Sequence, residues 1–225
     1  MPKVHLTCRA FFLYAVLIFL ASPVLAEPPN LGLLTSEVKT YHDSGAYANE
    51  LSCVIAKARA YLVKRAILNR QSTQPQKLAL VLDIDETSIS NYQKMVKRGF
   101  AASKEQINRE ILRADSPAIK PTLALYQEAL RQGVAVFFVT GRFESQREAT
   151  IKNLKSAGYQ KWTNLYLRPE AYQEQSIVPF KSQARANIAK QGYTIIASIG
   201  DQCSDLTGGY AEKGFKLPNP YYYLP

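Results

Sequence analysis

Residues 80–92, "LVLDIDETSISNY", join an apolar run to an acidic one. Leu80, Val81, Leu82 and Ile84 are suited to burial, yet Asp83, Asp85 and Glu86 place three carboxylates within four positions. Extended geometry sets Asp83 and Asp85 on one side of a strand with Ile84 opposite. Two carboxylates a few ångströms apart repel by several kcal/mol at an intermediate dielectric. A hard divalent cation such as Mg²⁺, which prefers oxygen ligands, would compensate that repulsion. A solvated or calcium-type acidic turn is the plainer alternative for this stretch alone.

The surrounding pattern alternates. "LALVLDI" (78–84), "VAVFFVT" (134–140), "TNLYLR" (163–168) and "TIIASIGD" (194–201) read as strands. Between them, "TLALYQEALRQG" (122–133), "ESQREATIKNLKSAG" (144–158) and "PFKSQARANIAKQG" (179–192) read as helices, with Pro179 suited to a helix start. Short continuous apolar strands alternating with helices predict an α/β fold, a mostly parallel sheet covered on both faces. Upstream, Leu51, Val54, Ile55, Ala58 and Leu62 share one face of a helix predicted over 36–69, and 27–34 reads as extended. Residues 88–119 break the rhythm and read as a small helical insertion above the carboxyl edge of the sheet.

Residues 1–26 read as a leader: Lys3 and Arg9, then an apolar run, then "ASPVLA". The apolar run is too short for a comfortable membrane span, so an exported chain beginning near Glu27 is expected, without a stable membrane anchor. The formal charge is +10 for 225 residues, and setting the leader aside leaves +8. The lysines and arginines are scattered rather than blocked, which argues against a nucleic-acid polymer as main partner and for attraction of small anions. Cys53 and Cys203 remain after the leader; a disulfide and two free thiols are both open. His42 is the single histidine left, which disfavours histidine-based phosphate chemistry, and neither cysteine is followed by a phosphate-binding loop. Phosphate- and dinucleotide-binding glycine motifs are also lacking.

In open parallel sheets, ligands bind at the carboxyl ends of the strands. The first strand ends in Asp83-Ile84-Asp85-Glu86. The second ends in Thr140-Gly141-Arg142, where a hydroxyl and a bare backbone can donate to a phosphoryl oxygen. The fourth ends in "GDQCSD", with Asp201 and Asp205. Lys181 lies near a helix N-terminus, where the dipole disfavours a cation unless an anion or an aspartate cluster is close.

Together, "DIDET", "VTG", Lys181 and "GDQCSD" occur in the order of the four motifs of the haloacid dehalogenase (HAD) superfamily, which the chain resembles. The wording "VLDIDETSISNY", "FFVTGR", "FKS", "IGDQ" and "FKLPNPYYYLP" is similar to its subfamily IIIB acid phosphatases, a branch with bacterial class B-type enzymes and plant vegetative storage proteins. The resemblance implies a Rossmann-like HAD domain over 27–225 with a small cap at 88–119. It implies phosphate-monoester hydrolysis with Asp83 as nucleophile and Asp85 as acid and base. Thr140, Gly141 and Lys181 would bind the phosphoryl group. Asp83, Asp201 and the Asp85 main chain would hold Mg²⁺, with Asp205 and Glu86 in support. A storage or binding protein of the same fold, a 5′-nucleotidase and a phosphotransferase are the alternatives. The oligomeric state is open, a neighbouring subunit being one way to complete an open site, and so is the choice between periplasm and medium as the destination of export.

Overall fold

The computed structural model describes residues 28–224, so the leader segment at 1–26 lies outside the described residues. Five parallel strands form one sheet in the order β3-β2-β1-β4-β5. They are β1 (Lys77–Leu82), β2 (Ala135–Phe143), β3 (Asn164–Arg168), β4 (Tyr193–Gly200) and β5 (Gly214–Lys216). The α/β class and the parallel sheet read from the sequence are those of the structure.

β1 is central, and its side chains alternate between two cores. Leu78, Leu80 and Leu82 join a large apolar cluster with Leu51, Leu62, Leu125 and Leu154. Ala79 and Val81 face Val139, Ala184, Ile188 and Ile195 on the other side. That period of two is what a strand covered on both faces requires. The large core is roofed by α2 (Ala46–Gln71), α5 (Lys120–Arg131) and α6 (Arg147–Ser156), the small one by α7 (Val178–Lys190).

Three local readings change. The segment expected to be extended turns helical at α1 (Leu31–Asp43), because the Asn30 side chain caps it, accepting from Gly32 N at 2.9 Å and Leu33 N at 3.3 Å. The single helix expected over 36–69 is two helices, separated at Gly45, whose φ of 86° is open to glycine at little cost. β5 is an additional edge strand that buries Phe215.

Residues 88–119 carry two short helices, α3 (Tyr92–Lys97) and α4 (Lys104–Leu112). Tyr92 and Phe100 there pack with Tyr221 of the C-terminal tail, and His42 stacks on Tyr92 with ring centroids 3.3 Å apart. Cys53 and Cys203 are exposed and, among the described residues, not bonded to each other. Among the described residues, no helix is long and apolar enough to cross a membrane.

Candidate active site

The sheet order reverses at β1: β2 and β3 are laid down on one side, β4 and β5 on the other. The crevice at such a switch point, beyond the carboxyl ends of the strands, is where ligands bind in open α/β sheets. Asp83 follows β1 and Asp201 follows β4, and Asp83 N donates to Ile199 O of β4 at 3.0 Å. The two aspartates are therefore neighbours by topology.

Asp83, Asp201 and Asp205 are all buried, and each offers a carboxylate oxygen within 4.8 Å of the others. Lys181, on the first turn of α7, reaches into this group. Its Nζ donates to Asp83 Oδ1 at 3.1 Å and to Asp205 Oδ1. Arg185, four residues on and on the same helix face, holds the loop that carries Asp205, with Nη1 donating to Asp205 O at 2.8 Å. Burial, then the neighbouring Asp205 charge, pushes the Asp83 carboxyl up. Burial likewise raises Asp205 against the pull of Lys181. Burial would lower the Lys181 ammonium, but Asp83 and Asp205 outweigh it and hold it above its usual range.

Ionised together, three carboxylates would exceed the one ammonium by two negative charges, and the raised Asp83 and Asp205 carboxyls show how poorly the buried crevice holds that excess by itself. Oxygen donors with that residual charge fit a divalent hard cation. Asp205, read from the sequence as a supporting residue, supplies the third carboxylate.

Asp85 faces elsewhere. Its side chain keeps 24% of its surface exposed, whereas Asp83 keeps 7%. The Arg142 guanidinium grips it with two bonds, Nε to Oδ2 at 2.8 Å and Nη2 to Oδ1 at 2.6 Å, and Asn91 Nδ2 adds a third at 2.8 Å. Burial pushes the Asp85 carboxyl up, but the Arg142 charge and these hydrogen bonds prevail and hold it below the usual carboxylate range. Asp83 and Asp85 therefore stand in opposed electrostatic surroundings two residues apart.

Glu86 is buried at a φ of 53°, a backbone region rarely used by non-glycine residues. Its carboxyl accepts from Asn91 N, from Asn91 Nδ2 at 3.2 Å and from Tyr222 OH at 3.3 Å. Burial, with the Asp85 charge, pushes it up to about 8. Glu86 thus ties the turn after β1 to both the insertion and the C-terminal tail. β2 runs on to Phe143, past the end expected at Thr140, so Thr140 is buried within the strand, where pairing with β3 breaks between Val139 and Phe143, and its hydroxyl accepts from Arg142 N at 3.2 Å. Gly141 lies under the tail: a Cβ there would stand 3.3 Å from Leu224 Cδ2.

Sequence reasoning gave no role to Arg142, Asn91, Thr87, Gln202 or Asn219, all of which bond to the acidic residues. Arg142 and Asn91 lie inside the stretches that carry the motifs, so their polarity was visible and their targets were not.

A family model described as HAD superfamily, subfamily IIIB (Acid phosphatase) matches residues 32–225. Similar curated proteins include Acid phosphatase 1 of Solanum lycopersicum, 36% identical over 148 residues that cover 64% of this chain and 58% of that protein. Vegetative storage protein 1 of Arabidopsis thaliana is 33% identical over 149 residues, covering 64% and 55%. The chain spans just under three fifths of the length of the first curated relatives it matches. Among solved structures, the class C acid phosphatase from Bacillus anthracis superposes with a TM-score of 0.64 at 23% identity, covering 84% of this chain and 86% of that one, a likeness of fold. With the family model matching from α1 to the end of the chain, over the whole acidic crevice, the protein belongs to the HAD superfamily, subfamily IIIB, the acid phosphatase subfamily.

Proposed function

We propose that the chain is an exported, Mg²⁺-dependent acid phosphatase that hydrolyses small phosphate monoesters through a phosphoaspartate. The observation that carries this reading is the buried Asp83–Lys181–Asp205–Asp201 cluster at the strand switch point, three carboxyl groups to one ammonium. Family membership supports it, and the leader pattern at 1–26 supports export.

Asp83 is the nucleophile. Lys181 bonds its Oδ1, and no protein donor among the described residues reaches Oδ2, which is the oxygen free to attack phosphorus. The new Oδ2–P bond forms as the bond from phosphorus to the leaving oxygen breaks, and Asp85 gives that oxygen a proton. Asp85 then takes a proton from water, the water oxygen bonds to phosphorus, and the Asp83 Oδ2–P bond breaks to release orthophosphate. Arg142 explains how one residue serves both steps. It holds Asp85 ionised at rest, and a phosphoryl dianion drawing the guanidinium toward itself would let the carboxyl take up the proton it must donate. Lys181, Thr140 and the Gly141 backbone orient the phosphoryl oxygens. Asp83 and Asp201, with Asp205 in support and the Asp85 main chain, would hold Mg²⁺, which when bound supplies charge neutralisation to the transferring group. The 88–119 segment acts as a small cap, with Tyr92 and Phe100 packing it down rather than meeting substrate.

Hydrolysis of a generic aryl phosphate, with Mg²⁺ and with chelator, tests the reading. Activity is expected with Mg²⁺ and its loss with chelator. Asp83→Asn should lower turnover by more than about 10³-fold, the scale lost when a nucleophile acting within a coupled set is removed, while the fold stays intact. Appreciable activity in that variant sinks the nucleophile assignment. Inactivity of the native chain under every metal and pH condition would favour the storage reading that the name of the Arabidopsis relative brings to mind.

A further inference from the structure

The tail after β5 has no part in the chemistry above, yet it reaches the acidic crevice. Leu217 N donates to Gly200 O at 2.8 Å, so the tail continues beside the end of β4. Asn219 stands between Pro218 and Pro220, whose rings restrict the backbone on either side. Asn219 Oδ1 accepts from Tyr221 N at 2.8 Å. That bond fixes which end of the amide is oxygen, and the nitrogen end, Nδ2, donates to Asp201 Oδ2 at 2.6 Å. A second amide repeats the arrangement. Leu224 N donates to Gln202 Oε1 at 3.2 Å, and Gln202 Nε2 donates to the same Asp201 Oδ2 at 2.7 Å. Among the described residues, Asp201 Oδ1 has one protein donor, Thr87 Oγ1 at 2.9 Å.

A carboxylate oxygen accepts about two hydrogen bonds. Oδ2 of Asp201 is therefore filled by two amides, each oriented by a main-chain N–H of the tail, while Oδ1 keeps one acceptor site open. We propose that Asn219 is a positioning residue of the metal site: with Gln202 it saturates Oδ2 and turns Asp201 so that Oδ1 is the oxygen presented to the divalent cation. The inference rests on the metal-dependent reading of the site. It makes the C-terminal tail a working part of the catalytic crevice rather than a surface strap.

Calorimetric titration of the purified, metal-stripped protein with Mg²⁺ alone tests this without any turnover. Asn219→Ala and Asn219→Leu both remove the donor, and leucine keeps the number and branching of the side-chain heavy atoms. Each should weaken Mg²⁺ binding by about 10-fold or more, the usual scale for losing a group that orients a metal ligand. Tyr223→Ala, a change at a tail residue 79% exposed, should leave the affinity unchanged. Melting temperatures read without metal separate lost affinity from lost fold, and Asn219→Leu carries the test if the alanine variant unfolds. Native Mg²⁺ affinity in a folded Asn219 variant would overturn the inference and leave the metal reading standing. Failure of the native protein to bind Mg²⁺ would overturn the metal reading and this inference with it.

Discussion

A Cβ on Gly200 would stand 2.1 Å from Asp205 Oδ2 and 2.2 Å from Asp205 Cβ, closer than such atoms approach. The last residue of β4 is glycine because the Asp205 side chain lies directly on it. Asp205 in turn accepts from Gln202 N at 2.9 Å and from Lys181. Gly200→Ala must therefore move Asp205 off the Lys181 ammonium or push the turn outward. Overpacking of this kind costs roughly 1–3 kcal/mol, and the expected result is a lower melting temperature together with a loss of aryl phosphate hydrolysis. A Gly200→Ala protein matching the native chain in both would show that the crevice has slack there. At this scale the sequence displayed the anionic groups well and their restraints poorly. Asp83, Asp85 and Asp201 stood out because each ends an apolar strand. Arg142, two residues after Thr140, could have pointed to a substrate, to Glu86 or to solvent, and only its side-chain direction selects Asp85.

Between elements, Glu128 of α5 joins three donors. Gln132 Nε2 and Arg131 Nη2 reach it from its own helix at 2.8 and 2.7 Å, and Arg59 Nη2 reaches it from α2 at 2.7 Å. Those hydrogen bonds, Gln132 first, then Arg131 and Arg59, hold the carboxyl down at about 2. A depressed carboxyl stabilises the fold above its unfolded pKa of about 4.3 and loses that contribution as pH falls through its folded value. The side chains of Arg59 and Arg131 are 54% and 59% exposed, so screening limits the gain to about 1 kcal/mol. Glu128→Gln should thus melt a few degrees below the native protein at pH 6, with the gap narrowing between pH 4.5 and 2. A gap independent of pH would mean that shape, not charge, joins α2 to α5. β1, β2 and β4 were legible because each is a nearly continuous apolar run of the length a buried strand needs, and β3 because Leu165 and Leu167 flank Tyr166 with the period of a strand. β5 is three residues with one buried side chain, too short for any periodicity to register. The break between α1 and α2 was hidden for a different reason, since a lone glycine within a helical pattern is tolerated until its φ turns positive.

Across the whole molecule, distant parts of the chain meet in one aromatic seam beside the crevice. Tyr221 of the tail lies with ring centroids 5.5 Å from Tyr47 at the start of α2, 5.5 Å from Tyr92 of α3, and 6.0 Å from Phe100. The seam fastens the N-terminal helices, the insertion and the tail together, and with them the segment that carries Asn219 onto Asp201. Its strength lies in the rings. Among the described residues, none offers a hydrogen-bond partner to the buried Tyr221 hydroxyl, an arrangement that costs free energy rather than supplying it. Tyr221→Phe should therefore leave the melting temperature unchanged or raise it slightly, with Mg²⁺ affinity retained. Tyr221→Ala should cost about 3–5 kcal/mol, the scale of buried aromatic-to-alanine changes, or roughly ten degrees for a chain of this size. It should also weaken Mg²⁺ binding, because the tail loses the anchor two residues beyond Asn219. Differential scanning calorimetry of the two variants with and without Mg²⁺ reads both effects. Equal losses in Tyr221→Phe and Tyr221→Ala would place the strength of the seam in the hydroxyl and refute the packing account.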